Sequence, residues 1–421
     1  LQKNKTIQFI FAGSDDGSHH HKRCAANIIV RSTPQFAYFD STVFRSSLLA
    51  SWVQDVASGV LPSDNDSLAW FRKGLTEYLA ARFYFDSVLT THEQQQQERS
   101  MMMAKTLDFY SLPSSLELYA ARTLEDRITQ KLRYVFLMLE YVMSRDMFDS
   151  ALRNCIKRAN VPFSPYTFQQ ECEQVYGSSL GWFFQEWIAQ TSFPEFLCTW
   201  QSSTSKRGET SVSVSVSQRG NIFTMPLDIL FTFENKTIVK RVFVENQNQN
   251  FLFSFSTKPI NAHLDPNYAA LRWIPELRIR AHARTALLFL SINRDSSAAA
   301  QEALLTLQLD PDNVSGSNGL ALYALGKISA LKKDYAQAEE YFRTAANVLY
   351  IKEFSALALF SKVRLGNVLE LEDKRSEALA LYNEVLHEAH QNILDYADVE
   401  FDVQKYIRNK NEVNDSVWWE K

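Results

Sequence analysis

The histidines are the first residues to consider for chemistry, because imidazole binds metals and transfers protons near neutral pH. His387 and His390 lie in an H-E-x-H sequence, one residue shorter than a zinc-binding H-E-x-x-H helix, and no third ligand is evident. His19–His21 lie in a polar stretch, and consecutive side chains of regular structure cannot all face one ion. We interpret that stretch as a solvated loop, and His387, His390 and His282 as surface or packing residues.

The cysteines and serines give no clear catalytic centre. Cys24, Cys155, Cys172 and Cys198 are scattered without C-x-x-C spacing, which favours small buried residues over a metal site. The segment Gly177–Gly181 satisfies the G-x-S-x-G pattern, but a nucleophile elbow needs a strand before it and a helix after it. Its flanks fit a helical region, so we interpret the match as chance.

Length and charge exclude some classes of protein. The 421 residues have room for two or three domains. A net charge of −4 and a pI of 6.1 do not fit the basic surface of a nucleic-acid-binding protein. Because there is no apolar run of about eighteen residues, we expect a soluble chain without a transmembrane segment. The chain begins at Leu1 without methionine or signal peptide, so we expect a piece of a longer protein whose compartment is unknown.

The stretch Trp70–Asp86 is predicted to form a helix, and its first residues carry the strongest family signal. Trp70, Gly74 and Tyr78 follow a W-x-x-E-G-x-A-x-Y pattern, with Thr76 in place of the alanine. The stretch resembles the gluzincin-type zinc aminopeptidase family that includes aminopeptidase N and leukotriene hydrolase. In that family the glutamate of the pattern is the third zinc ligand, and here the position is Lys73. An ammonium group has no lone pair to donate, and its charge repels the metal.

The resemblance also implies an H-E-x-x-H helix upstream, with eighteen residues between its second histidine and Lys73. That spacing places Ala50 and Gln54 at the two histidine positions. Ser51 then stands at the glutamate that serves as general base on metal-bound water. The apolar face of this helix is kept, so the sequence predicts a helix that has lost its two metal-binding histidines and its general base. Ala50, Gln54 and Lys73 are the degenerate metal positions.

Two more positions of the family's site are changed. Ala26 stands where a glutamate of a G-x-M-E-N strand would bind the substrate's amino group. Thr129 begins the predicted helix Thr129–Tyr141 where a tyrosine would stabilise the oxyanion, and a threonine hydroxyl is shorter and less acidic. The aromatic run Phe168–Trp187 resembles the end of the family's helical domain. The resemblance therefore implies a thermolysin-like helical domain with a short N-terminal β part, truncated at its N-terminus, over residues 1–200.

The periodicity changes from helical to alternating between residues 199 and 266. Ser211–Ser217 alternates serine and valine strictly, which predicts a strand with one buried face. Arg219–Asn221 and Glu234–Lys236 are turn signals between strands. We predict a small β-sandwich over residues 201–272, where the resemblance also implies one.

Residues 273–421 are helical and repetitive. One stretch resembles the 34-residue tetratricopeptide repeat at seven positions: Leu322, Leu325, Gly326, Tyr335, Ala338, Phe342 and Ala345. A second copy follows forty residues later, at Leu365, Gly366, Ala378 and Tyr382. A weaker first copy begins near Arg280 and includes Ala299. Three hairpins suffice for an α-solenoid, and we interpret the tail Tyr406–Lys421 as a capping segment or the start of further chain.

These patterns favour a multidomain, mainly α protein that is a non-catalytic homologue of zinc aminopeptidases, without cofactor. Its repeats would bind a protein or peptide partner. The alternative is a zinc-dependent aminopeptidase that cleaves N-terminal residues from peptides, which would need another ligand set, because a hydrolase without its metal loses Lewis acid and nucleophile together. In a third hypothesis the cleft still binds peptides, and Lys73 pairs with a ligand carboxylate instead of with Glu77 one helical turn away.

Overall fold

A computed structural model describes residues 69–87, 89, 91–110, 124–158, 163–206, 208–348, 355–390, 393–409 and 412–419. The predicted mainly helical fold with small antiparallel sheets is confirmed, whereas the division into three domains remains a prediction. Four of the predicted site positions lie outside the described residues: Ala26, Ala50, Ser51 and Gln54. Within the described ranges, every helix is too short or too polar to cross a membrane.

Five helices form the first part of the structure: α1 (Ala69–Ser87), α2 (His92–Tyr110), α3 (Leu124–Met143), α4 (Arg145–Lys157) and α5 (Pro165–Tyr176). A short turn, Gly181–Phe183, then continues as a π-helix, Phe184–Ala189. The helices predicted near residues 70–86 and 129–141 are therefore present and longer than predicted. Helix α5 ends at Gly177, whose φ of 80° is left-handed, so the G-x-S-x-G segment follows a helix and not the strand of a nucleophile elbow.

Aromatic rings fill the core between these helices. Phe71 of α1 lies 5.2 Å from Phe136 of α3 and 6.1 Å from Phe168 of α5, measured between ring centroids. Phe168, Phe183 and Trp187 are buried, as expected for packing residues. The core continues without a break into the buried faces of the sheets.

Six strands make two three-stranded antiparallel sheets. One sheet has the order β1 (Glu195–Thr204), β2 (Thr210–Arg219), β5 (Asn248–Phe255), and the other has the order β4 (Thr237–Val244), β3 (Met225–Thr232), β6 (Asn261–Leu264). The valines of β2 are buried and its serines lie on the more open face, as the alternation predicts. The sheets meet through aromatic rings, with Phe231 centred 5.1 Å from Phe253.

The remaining helices pack as consecutive pairs: α6 (Pro275–Leu288), α7 (Ser296–Leu309), α8 (Asn318–Leu331), α9 (Tyr335–Asn347), α10 (Ser355–Leu371), α11 (Arg375–His390) and α12 (Ile393–Arg408). The turns after α8 and α10 have the same form, with Lys333 and Asp373 at φ of 62° and 58°. The chain then forms a 3₁₀-helix, Asp415–Trp418.

The glycines of the two central hairpins lie against an aromatic ring of the following helix. A Cβ atom on Gly326 would lie 2.7 Å from the ring of Phe342, and one on Gly366 would lie 2.3 Å from the ring of Tyr382. Only glycine permits this approach of helix backbone to ring. The contact therefore recurs with the offset of forty residues that the sequence shows.

Candidate functional site

The structure describes two of the six predicted site positions, Lys73 on α1 and Thr129 on α3. These two helices pack directly against each other. They lie close together at Gly74, where a Cβ atom would lie 2.4 Å from the Cβ of Leu132. The helix of Lys73, predicted to be a degenerate metal position, thus lies next to the helix of Thr129, predicted to replace a tyrosine.

Thr129 is 2% exposed, and its hydroxyl has no hydrogen-bond partner among the described residues. A buried hydroxyl of this kind has no access to a substrate from solvent. Lys73 is half-buried, and its backbone carbonyl accepts a hydrogen bond from the Thr76 hydroxyl at 2.8 Å. Thr76, which replaces the family's alanine, thereby uses its hydroxyl within its own helix.

Lys131, two residues after Thr129, is a buried ammonium that sequence reasoning did not identify as a site residue. Its Nζ donates to the carbonyl of Ile188 at 3.0 Å and to the carbonyl of Gln190, at the end of the π-helix. The ring of Phe193 lies 5.8 Å away. Burial lowers the pKa of Lys131 to about 8. The contacts suit a cation at the carbonyl end of a helix, where the helix dipole is negative. Its charge within an apolar helix face was the available sequence signal.

A second polar network joins α1, α3 and α4. Arg82 forms two hydrogen bonds with Asp149, at 2.6 and 2.8 Å, and lies 3.0 Å from Glu140. The phenol of Tyr78 donates to Glu140, and burial followed by that carboxylate raises the pKa of Tyr78 well above its usual value. Tyr78, a family motif residue, thus has a structural role here. The paired groups fix three helices to one another.

Helix α8 contacts the 3₁₀-helix and α10 contacts α12, and five of the buried polar residues on these two helices form one set. We call this set the polar face: Tyr323, Lys327, Arg364, Asn367 and Glu370. The side chain of Arg364 is 1% exposed, and its Nη1 donates to the hydroxyl of Tyr406 on α12 at 3.0 Å. Its Nη2 lies 3.8 Å from Asp402, also on α12. A buried guanidinium needs such partners, because desolvation of an unpaired charge is costly.

Arg375 adds a second guanidinium beside the polar face. It donates to Glu370 and to the backbone carbonyls of Tyr406, at 3.2 Å, and Ile407, at 2.8 Å. These carbonyls belong to the last turn of α12, where the helix supplies no further N–H donors for them. The polar face and Arg375 therefore hold α12 by its side chains and by its carbonyl end. Sequence reasoning missed this site, although the charged residues within the apolar run of α10 were a signal.

The histidines lie apart from these sites. His282 Nδ1 is 2.6 Å from Glu302, and His390 Nε2 is 3.0 Å from Glu400, so each has a single carboxylate neighbour at the surface. Within the described ranges, no three residues among His, Cys, Asp and Glu are grouped closely enough to hold a metal ion. The interpretation of His282 and His390 as surface residues agrees with these contacts.

The sequence matches no protein-family model and no curated protein. Among solved structures, the fold is similar to aminopeptidase A of Legionella pneumophila, determined in complex with aspartic acid, with a TM-score of 0.41 and 14% sequence identity. The similarity covers 85% of this chain and 40% of that chain. This chain thus spans less than half the length of its distant structural neighbour.

Proposed function

We propose that the chain is a non-catalytic relative of the zinc aminopeptidases that binds segments of other proteins through its helical repeats. In this proposal residues 1–200 derive from the peptidase's helical domain, 201–272 form a β-sandwich, and 273–421 form tetratricopeptide-type hairpins. The observation that carries the binding role is the repeated hairpin. The same glycine-to-ring contact occurs at Gly326 and at Gly366, forty residues apart. Stacked helical hairpins commonly present an extended surface to protein segments.

The proposed loss of catalysis is supported by residue chemistry. By the resemblance, Lys73 corresponds to the third ligand position, and its helix packs against the helix of Thr129. A cation at this point opposes Zn²⁺ binding, and alanine, serine and glutamine at positions 50, 51 and 54 supply neither imidazole nor a general base. No zinc and no metal-dependent hydrolysis are therefore expected.

The metal content of the purified chain and its hydrolysis of an aminoacyl-anilide panel test the loss of catalysis. We expect neither bound zinc nor turnover. A variant carrying Ala50→His, Ser51→Glu, Gln54→His and Lys73→Glu should bind about one zinc per chain, since it restores the three-ligand set. The matched control keeps Lys73 and carries the other three changes, and it should bind zinc much more weakly. Stoichiometric zinc with turnover in the unmodified chain would refute the proposal.

Site-specific photo-crosslinking in the cells that produce the protein tests the binding role. A photoreactive residue replaces Val314, between α7 and α8, or Leu252, on β5, which are 76% and 74% exposed. Because the two positions are equally exposed, a difference in the yield of crosslinked adducts shows which of them lies near partner proteins. We expect adducts with other proteins mainly from position 314. Equal adducts from both positions would contradict a binding role of the repeats.

A further inference from the structure

The segment that covers the polar face is held by a mixture of aromatic and charged contacts. We call it the cover segment, and it consists of α12 (Ile393–Arg408) and the 3₁₀-helix Asp415–Trp418. It packs on α8, α10 and α11. Apolar contacts hold part of it, because the ring of Tyr406 stacks on Tyr382 at 6.0 Å and Trp418 stacks on Phe342 at 6.2 Å. Between these rings it meets charged side chains.

The groups that α12 presents to Arg364 come from one helix face. Asp402 and Tyr406 are four residues apart, so their side chains lie one above the other on α12. The phenol and the carboxylate both approach the guanidinium of Arg364, and Arg375 binds the carbonyl end of the same helix. Two arginines therefore select a helix with an acidic and a phenolic group at this spacing.

The fit of the cover segment to the polar face is incomplete. Among the described residues, the Nε of Arg364, the Oε2 of Glu370 and the indole nitrogen of Trp418 are buried without a hydrogen-bond partner. Buried polar atoms are normally satisfied, so these groups can gain partners if another helix takes this place.

We infer that the polar face is a docking site for a helix of a partner protein that carries a carboxylate and a phenol four residues apart, and that the cover segment is its internal competitor. The inference rests on the binding role proposed above and specifies the partner. The positive charge of Arg364 and Arg375 argues for an acidic helix. A tethered helix acts at a high effective concentration, so the cover segment blocks weak partners and admits only tighter ones.

The test uses the full chain and a fluorescein-labelled peptide with the sequence of Ile393–Arg408. In the unmodified chain the peptide competes with the tethered copy and binds weakly. A chain carrying Asp402→Ala and Tyr406→Ala should bind it more tightly by on the order of tenfold or more, measured by fluorescence anisotropy. Phe401, which is 73% exposed on the same helix, provides the matched control, and Phe401→Ala should leave the affinity unchanged. A labelled peptide carrying the two alanine changes should not bind.

A second experiment keeps every native contact. A protease recognition sequence inserted between His390 and Ile393 allows the cover segment to be cut from the rest of the folded chain. After cleavage, labelled peptide should exchange into the polar face, and it should not do so when Arg364 is changed to Met. If neither the double variant nor the cleaved chain takes up peptide, the cover segment is a fixed part of the core and the inference is wrong.

Molecular mass during peptide uptake distinguishes a partner from a second copy of the chain. A monomer that takes up peptide supports a partner helix, whereas a dimer that the peptide converts to monomer shows that cover segments are exchanged between copies, which overturns the partner assignment. The assay measures binding alone, so its failure would leave the non-catalytic assignment standing. Bound zinc with turnover would refute that assignment without changing the peptide result.

Discussion

Arg82 in the first helical region and Arg364 in the repeat helices are both removed from solvent, and they differ in their partners. Arg82 has two short hydrogen bonds to Asp149 and lies 3.0 Å from Glu140. Arg364 has the phenol of Tyr406 at 3.0 Å, the amide oxygen of Asn367 at 3.1 Å and a carboxylate at 3.8 Å, whereas its Nε has no hydrogen-bond partner in the described part of the chain. The better-paired arginine is also the more exposed one, with side-chain exposures of 13% and 1%.

We interpret the contacts of Arg82 as a permanent link between helices and those of Arg364 as a link that another helix can replace. The network of Arg82 joins helices that also share the aromatic core, and every charge in it has a counter-charge nearby. At Arg364 the burial is deeper and the pairing poorer, although desolvation makes good pairing more necessary. Such a mismatch favours a site that another group can occupy. Matched substitutions in the regions of Arg82 and Arg364 should therefore differ in their effect on stability.

The largest loss of stability is expected from substitution of a glycine at a helix crossing, a feature that both regions share. Gly74→Ala places a Cβ atom 2.4 Å from the Cβ of Leu132, and Gly326→Ala places one 2.7 Å from the ring of Phe342. The helices must move apart, which should lower the stability of each region by about 3 kcal/mol despite the better helix propensity of alanine. Hydrogen exchange read by mass spectrometry reports each region separately.

Gly181→Ala is the control for both glycine variants, because its Cβ atom would meet only the Ser179 hydroxyl, at 3.4 Å. Its exchange pattern should stay close to that of the unmodified chain. Unchanged protection of α1 and α3 in Gly74→Ala would mean that the helices can separate there without cost.

The next prediction addresses the arginines themselves. Arg82→Met leaves Asp149 and Glu140 without their cation and should destabilise the first region by about 3 kcal/mol. Arg364→Met removes a poorly paired charge and keeps similar volume, so its cost should be below about 1 kcal/mol. Local hydrogen exchange of α3 and α10 measures the two effects. Equal losses would remove the distinction between a permanent and a replaceable contact.

The difference between these regions also marks the limit of the sequence reasoning. The buried valines of β2 followed from local periodicity. The helices near residues 70–86 and 129–141 and the forty-residue offset followed from resemblance to sequence motifs. The polar face did not, because Arg364 and Tyr406 are 42 residues apart in sequence and no local pattern encodes their contact. The tail was interpreted as a capping segment or the start of further chain, and Trp418 is in fact fully buried.

The predicted catalytic positions show a different limit. Lys73 and Thr129 came from family motifs, and the structure places their helices in contact. Ala26, Ala50, Ser51 and Gln54 remain predictions, because they lie outside the described residues. A motif assigns a residue its family position, whereas the burial of Thr129 and the carbonyl contacts of Lys131 depend on tertiary packing.

Two lysines whose pKa values shift in opposite directions, Lys131 and Lys362, allow a pH test of intermediate size. Burial lowers the pKa of Lys131 to about 8, so between pH 8 and its usual value of 10.5 the unfolded chain binds more protons than the folded chain. Stability therefore rises with pH across this window, and the gain over Lys131→Met should reach about 3 kcal/mol.

Lys362 is the matched position in the repeat helices. Burial acts to lower its pKa, but hydrogen bonds from its ammonium to Glu384 and Glu388 outweigh this and raise it. Its contribution to stability is present below the usual pKa and is lost as pH rises through the raised value. The difference between the unmodified chain and Lys362→Met should thus fall above pH 10.5, opposite to Lys131. Parallel curves for the two variants would show that the surroundings of the lysines are equivalent.

The smallest effect on stability is expected from protonation of Asp149, the acidic partner of Arg82, at low pH. Partial burial acts to raise the pKa of Asp149, but the hydrogen bonds from Arg82 outweigh it and hold the pKa below the usual 3.8. The stabilisation is therefore complete above that pH and is lost as pH falls through the lower, folded value. Because the side chain of Asp149 is 32% exposed, solvent screening should limit the effect to less than about 1 kcal/mol.

Asp149→Asn should destabilise α4 at pH 6 and have little effect near pH 2, whereas Asp146→Asn, at an exposed position on the same helix, should have little effect at either pH. If both variants behave alike, the Arg82 pairing is no stronger than an ordinary surface contact, and the contrast with Arg364 would have to be explained by burial alone.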